Sequence, residues 1–260
     1  MTNVVVLIKQ VPDTGSERKL NDGDFRLDRS IDPVLDEINE RAVEEALKIK
    51  EANGGEVTVL TAGPASATDA IRKALSMGAD KAVHVQDDAI AGSDAVQTGL
   101  LLTYALGAIE GVDLVIAGNE ATDGRVGAVP AIIAEALGLP QLTHLRKLTL
   151  DGDTVRGERE TDEGIFELEA TLPAVVSVNE KINEPRFPSF KGIMAAKKKE
   201  IRVLSVADIN LEPTDVGAAN AGTSVTGVTP KPAKQAGEKV VDEGDGGTKV
   251  AQFLITQKII

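Results

Sequence analysis

A chain of 260 residues, 42% of them apolar, is long enough for one large domain or two small ones, and with only 2% aromatics and no Trp its core must be Val, Ile, Leu and Ala. The 28 basic and 41 acidic side chains leave a net charge of −13, which argues against a surface built to grip nucleic acid or anionic lipid. Cys is absent, which excludes disulfides, thiolate metal sites and Cys nucleophiles, and two His are too few for a His-rich metal centre.

Val4-Val5-Val6-Leu7-Ile8 is a short apolar run, followed closely by Pro12, and predicts a buried parallel strand. The opening residues lack the basic head and cleavage site of an export signal, and no apolar run approaches the roughly 20 residues of a membrane span. A cytoplasmic protein without membrane insertion is expected. Asp22-Gly23 marks a hairpin tip within residues 19–27. Residues 36–51 predict a helix with the stripe Ile38, Ala42, Val43, Ala46, Leu47 and Ile49, stopped at Asn53-Gly54-Gly55.

The alternation continues with a strand over 57–60, a turn at Gly63-Pro64 and a helix ending at Met77, capped by Ser66 or Thr68. Residues 81–85 predict a strand and 94–110 a strongly apolar helix. Residues 113–117 predict a strand, and 128–137 a further helix. Four strand-then-helix units in series predict an α/β fold with a doubly wound, mostly parallel, Rossmann-like sheet.

Past Pro140 the pattern changes. Asp151-Gly152-Asp153 marks a hairpin turn, residues 164–172 alternate, and 173–178 form another apolar strand. Residues 186–202 hold a local excess of basic side chains. Residues 211–249 are rich in Gly, Pro, Ala, Thr and charge, and cannot bury a core of their own. Residues 250–255 suggest a short apolar element that docks on another surface. The expected organisation is a domain over 1–203 and an extended C-terminal arm over 204–260.

In an open parallel sheet, ligands lie beyond the carboxyl ends of the strands. The loop over 118–127 opens directly onto a helix, so its last N–H groups and the helix dipole suit a phosphate. Gly124 and Gly127 would admit an anion closely, or serve only as turn glycines. Neither GxGxxG nor GxxxxGK[ST] is present. Glu44/Glu45 and Asp87/Asp88 fit solvated surfaces better than an acid–base pair. His84 fits a core or edge position, and His144, in a loop after Pro140, has no evident role. With no GxSxG elbow and no nucleophile–base set, a nucleotide-binding subunit fits better than a hydrolase. Lys197-Lys198-Lys199 after Phe187, Phe190, Ile193 and Met194 suits nucleic acid by composition, an acidic protein partner equally, or a basic element end.

Several segments in this order carry a resemblance. They are Val6-Leu7-Ile8-Lys9-Gln10-Val11, Ala42-Val43-Glu44-Glu45-Ala46-Leu47, Gly63-Pro64-Ala65 and Ala74-Leu75-Ser76-Met77-Gly78-Ala79-Asp80. Asp113-Leu114-Val115-Ile116-Ala117-Gly118 with Ala121-Thr122-Asp123-Gly124 follows, then residues 160–168 with Pro173-Ala174-Val175-Val176-Ser177. Asn183-Glu184-Pro185-Arg186-Phe187 with Ile193-Met194 and Lys197-Lys198-Lys199 completes the set. From residue 3 to about 203 the chain resembles the β subunits of electron transfer flavoproteins. It departs from the usual family pattern at Phe166, where Glu or Gln is common, and at Ala195, where Lys is common.

The resemblance implies a heterodimer with an α subunit that holds the redox FAD, while β holds AMP without a redox role. It implies electrons arriving from dehydrogenases such as acyl-CoA dehydrogenases, in fatty acid β-oxidation, and leaving to an electron transfer flavoprotein–quinone oxidoreductase. No nucleic acid partner and no catalytic residue in this chain are implied. Carried over by motif, the AMP contacts fall on Leu7, Asp36, Glu37, Ile38, Asn39 and Ala62. They continue through Glu120, Ala121, Thr122, Asp123, Gly124, Arg125, Val126, Gly127, Ala128 and Val129, with phosphate on N–H groups near 126–129. The partner-recognition segment falls on 183–199, with Phe190 as apolar anchor and Ile193, Met194, Lys197 and Lys198 beside it. Two alternatives stay open: an electron-bifurcating β subunit with a second FAD in place of AMP, and a stand-alone ATP-binding stress-type protein.

Overall fold

In the computed structural model, β1 (Val4–Leu7) is buried on both sides, as a central parallel strand of aliphatic residues must be. The structure describes residues 1–229, 231–234, 237 and 239–260; the other four fall in the stretch read as coreless and lie outside the described residues. After β1 comes a short antiparallel ribbon, β2 (Gln10–Pro12) with β3 (Pro33–Leu35). The sequence did not announce this ribbon. Between its strands Leu20 bridges Leu27 around Gly23, whose φ of 94° suits the expected hairpin tip.

Helix α1 (Glu37–Asn53) begins one residue later than expected, because Asp36 is its N-cap and accepts from Ile38 N–H. The alternation continues through β4 (Val57–Ala62), α2 (Thr68–Met77), β5 (Lys81–Val85), α3 (Ala95–Gly107), β6 (Leu114–Gly118) and α4 (Val129–Leu137). Neither Ser66 nor Thr68 caps α2; Ala67 stands at its N-cap after a short 3₁₀ turn. By contrast α3 opens on a reciprocal capping box between Asp94 and Gln97.

The second half holds β7 (Gln141–Asp151), β8 (Thr154–Thr161), β9 (Gly164–Thr171), β10 (Ala174–Val178), α5 (Phe190–Ala196) and β11 (Ile201–Leu204). His144 is not in a loop: it sits in β7 at a register shift against β10, with φ 60°. Neither α5 nor β11 was evident in the sequence. α5 fully buries only Ala196 and β11 only Leu204, so neither shows a hydrophobic period.

Among the described residues, nine strands form one sheet in the order β11-β5-β4-β1-β6-β10-β7-β8-β9. Neighbours from β11 to β7 are parallel; β7, β8 and β9 form an antiparallel meander. The side-chain alternation divides the core. Val4 and Val6 face α1 and α2, whereas Val5 and Leu7 face α3 and α4. The fold is therefore a doubly wound α/β sheet. The chain leaves β1 toward β4 and β5, then returns to the other side of β1 with β6. That reversal lies between β1 and β6, where an open α/β sheet places its ligand crevice at the carboxyl ends of the strands.

Met1–Thr226 forms one compact unit. It extends past the boundary at 203 read from sequence, because Leu204, Val206, Ile209, Leu211 and Val216 are buried against the α3/α4 face. Gly227–Ile260 forms a second unit, which contains α6 (Gly246–Thr256) with Val250, Phe253 and Ile255 exposed.

Candidate functional site

The crevice is built from four chain segments. Leu7 ends β1, Ala62 ends β4, Asp36 to Asn39 open α1, and the loop over 118–128 joins β6 to α4. Because β4, β1 and β6 are adjacent and in parallel register, their carboxyl ends lie side by side. The sequence-predicted nucleotide residues thus converge on one edge of the sheet.

Two buried polar contacts hold the crevice together. Asp36 is fully buried, and its Oδ2 accepts from Thr122 N at 2.7 Å and from Thr122 Oγ1 at 2.8 Å. Its Oδ1 accepts from Ile38 N at 2.9 Å. The carboxylate of Asp36 is therefore spent on the protein, and its role is to join α1 to the loop. Asn39 Oδ1 accepts from Lys9 N at 2.8 Å, extending the link to the end of β1. Gly118 is needed where these meet, since a Cβ there would lie 2.7 Å from Asn39 Nδ2 and 3.0 Å from Ile38 Cγ2.

A charged clamp lies beside them. Lys9 Nζ donates to Asp123 Oδ1 at 3.0 Å, Arg29 also donates to Asp123, and the Asp123 side chain is inaccessible. Burial alone would raise the Asp123 carboxyl, but the cations Lys9 and Arg29 outweigh it and hold it below the usual carboxylate range. Burial likewise pulls the Lys9 ammonium below the usual lysine value, with Asp123 opposing. Sequence reasoning missed Lys9 and Arg29 as part of this site. Lys9 stands in the quoted first motif, but Arg29 lies 94 residues before its partner and left no local signal.

The mouth of α4 is open. Ala128 is its N-cap and makes no side-chain cap, and Pro130 occupies the first turn. Arg125 and Gly127 adopt left-handed φ of 50° and 68°, and nothing lies within 4 Å of the position a Gly124 Cβ would take. Arg125 pairs with Glu120 at 3.2 Å, and Val126 is exposed. Glu37 points into solvent at the start of α1. Asn119 Oδ1 is buried and has no hydrogen-bond partner among the described residues.

His84 is a core residue, as the sequence suggested. Its Nε2 lies 3.0 Å from Gly63 O and must carry the proton, since a carbonyl only accepts. Burial pushes its pKa down. Glu44 and Glu45 depart from the solvated face expected of them. They are only 5% and 7% exposed, because the segment after β10 folds back across α1. Arg186 Nε donates to Glu44 Oε2 at 2.7 Å, and Asn183 Nδ2 donates to Glu45 Oε2 at 3.0 Å.

On the α2 side, Ser189 caps α5 by accepting from Gly192 N at 3.0 Å. A Gly192 Cβ would lie 2.4 Å from Ser76 O, so only Gly allows α5 to approach α2 so closely. Arg72 donates to Lys199 O at 2.9 Å, and Lys199 donates to Leu75 O at 3.0 Å. Lys199 is thus an anchor, whereas Lys197 and Lys198 are exposed. Phe187 and Phe190 are 94% and 80% exposed, with Ile193 and Met194 exposed beside them.

The sequence family described as Electron transfer flavoprotein domain matches residues 25–209. The chain belongs to the electron transfer flavoprotein family. Within that family it is similar throughout to proteins named electron transfer flavoprotein subunit beta. The one from Mycobacterium tuberculosis is 72% identical over 266 residues, covering 100% of both chains. That from Mycobacterium leprae is 70% identical, again over 100% of both. That from Thermoanaerobacterium thermosaccharolyticum is 36% identical over 237 residues, covering 91% of both. Among the described residues of this family member, no helix is long and apolar enough to cross a membrane.

Proposed function

We propose that this β-type chain binds AMP in the crevice between β1 and β6, as the non-redox half of a heterodimer whose α subunit holds FAD. The observation that carries the reading is the uncapped start of α4 at the carboxyl edge of the sheet. Free N–H groups and the positive end of the helix dipole favour a phosphate there. The neighbouring residues fit an adenylate as well. Gly124 leaves open space for close approach, and Gly127 supplies the left-handed φ of 68° that the turn into α4 needs. Asn119 Oδ1 is a buried acceptor without a donor, suited to an adenine amine or a ribose hydroxyl.

The hydroxyl–carboxylate pair at the crevice, Thr122 with Asp36, is buried and joins the loop to α1, which suits a ligand that is held and does not react. When bound in the α subunit, flavin supplies the one- and two-electron chemistry. This chain contributes position. Asp36 and Asn39 fix α1 against the nucleotide loop, and Asp123 fixes that loop against Lys9 and Arg29. The 183–199 segment presents Phe190, with Phe187, Ile193 and Met194, to an apolar pocket on an electron-donating dehydrogenase, and Lys197 and Lys198 supply rim charge. An acyl-CoA dehydrogenase is the donor class and an electron transfer flavoprotein–quinone oxidoreductase the acceptor. The arm over 227–260, with the exposed apolar side chains of α6, docks on the α subunit.

Co-expression with an α subunit, followed by an assay with an acyl-CoA dehydrogenase and a terminal dye, tests the reading. The heterodimer should carry electrons and this chain alone should not. Oxidation or hydrolysis by the isolated chain would overturn it.

A further inference from the structure

Four side-chain hydrogen bonds converge on one guanidinium in the segment before the exposed phenylalanines. Arg186 Nε donates to Glu44 Oε2 at 2.7 Å and Nη2 to Glu44 Oε1 at 3.1 Å. Nη1 and Nη2 donate to the two oxygens of Glu51, the latter at 3.1 Å. Both carboxylates are thus engaged in fork-to-fork geometry, which lysine cannot reproduce. Glu44 and Glu51 stand seven residues apart, two turns along one face of α1.

The backbone joins the same clamp. Arg186 N donates to Glu44 Oε2 at 3.1 Å, and Asn183 Nδ2 donates to Arg41 O at 2.9 Å. Arg41 in turn donates to Asn183 O. Residues 183–186 are therefore stitched to α1 at both ends. Beyond them, α5 is stitched to α2 through Gly192, Arg72 and Lys199. Phe187 lies between the two stitched stretches and Phe190 opens α5, both almost bare of contact. Exposed aromatic side chains on an untethered loop would lose conformational entropy on docking; on a fixed one they lose less.

We propose that Arg186 is a positioning residue for partner docking: by clamping to Glu44 and Glu51 of α1 it holds Phe187 and Phe190 in a docking-ready arrangement. The proposal rests on the docking reading above, and its failure is separable from the failure of that reading. Arg186 does not touch the partner in this account; it acts through the backbone of 183–187.

The test uses the full heterodimer as the varied substrate of an acyl-CoA dehydrogenase, with amide hydrogen exchange followed by mass spectrometry. Three variants are compared: Arg186→Lys, Glu51→Gln and Phe190→Ala. Glu51 is the exposed arm of the clamp, so its substitution leaves the buried Glu44 paired and the fold intact. Arg186→Lys should raise KM about five-fold and Glu51→Gln about two-fold, with kcat unchanged. Exchange should quicken over 183–192 and stay constant in the sheet. Unchanged KM in both clamp variants, with a raised KM for Phe190→Ala, would overturn the positioning role and leave the docking surface standing. A Phe190→Ala protein that docks like the parent would remove the docking surface, and the proposal with it. A fall in kcat at constant KM would also overturn it.

Discussion

The carboxylate of Asp36 accepts both the backbone N–H and the hydroxyl of Thr122, 86 residues further along the chain. The same carboxylate caps α1 through Ile38 N–H. One buried side chain thus joins the start of α1 to the loop after β6, across the point where strand order reverses.

Asp36→Ala leaves three donors near that point without their acceptor and should cost about 3 kcal/mol or more of stability. Thr122→Val removes one of the three bonds and should cost about 1 kcal/mol. Thermal melts of the two proteins check the order. Equal melting temperatures for parent and Asp36→Ala would contradict the role assigned to this contact.

The Asp123 clamp predicts a pH dependence of known sign. Its native carboxyl pKa lies below the unfolded value of about 3.9, because Lys9 and Arg29 outweigh burial. Its contribution is whole above that unfolded value and disappears as pH falls through the native one. Asp123→Asn should therefore melt lower than the parent near neutrality, and the gap should close below about pH 4. Melting curves between neutrality and acid, recorded on both proteins, provide the measurement. A gap that stays constant down to acid would show that the clamp's charge contributes nothing.

Much of this architecture is legible in the sequence, since Val4–Leu7, Val57–Ala62 and Leu114–Gly118 are apolar runs between helix-period segments. The loop over 118–128 was legible too, because it leads directly from one such strand into a helix. What escaped were relationships without local pattern. Glu44 and Glu45 look solvated on a helix until Arg186 and Asn183 arrive from more than 130 residues away. The first half of β7 was missed because its burial alternates irregularly around the shift near His144. β11 carries two exposed residues and only one fully buried, so pairing with β5, not hydrophobic period, defines it.

Gly118 should not tolerate a side chain. In Gly118→Ala the new methyl meets Asn39 Nδ2 and Ile38 Cγ2, at 2.7 and 3.0 Å before relaxation. Moving Asn39 breaks its bond with Lys9 N, and the overpacking should cost about 1–3 kcal/mol. The heterodimer carrying Gly118→Ala should retain less adenylate than the parent, as quantified by chromatography of an acid extract. Full retention would separate this corner from the nucleotide site.

The arm gives a cleaner truncation than the sequence suggested. Deletion from 205 would strip Val206, Ile209, Leu211 and Val216 from the core facing α3 and α4. Deletion of 227–260 spares them. That shorter truncation should keep the parent's circular dichroism and melting temperature yet lose co-purification with an α subunit. Intact pairing after the deletion would refute the docking role of the arm.

The adenylate we propose in this chain is held and never reacts, and the most direct test is to extract and quantify every nucleotide in the purified heterodimer, before and after turnover with a dehydrogenase. One AMP and one FAD per pair, with the AMP unaltered by turnover, is the predicted result. Two flavins, or a β site empty of any adenylate, would contradict it.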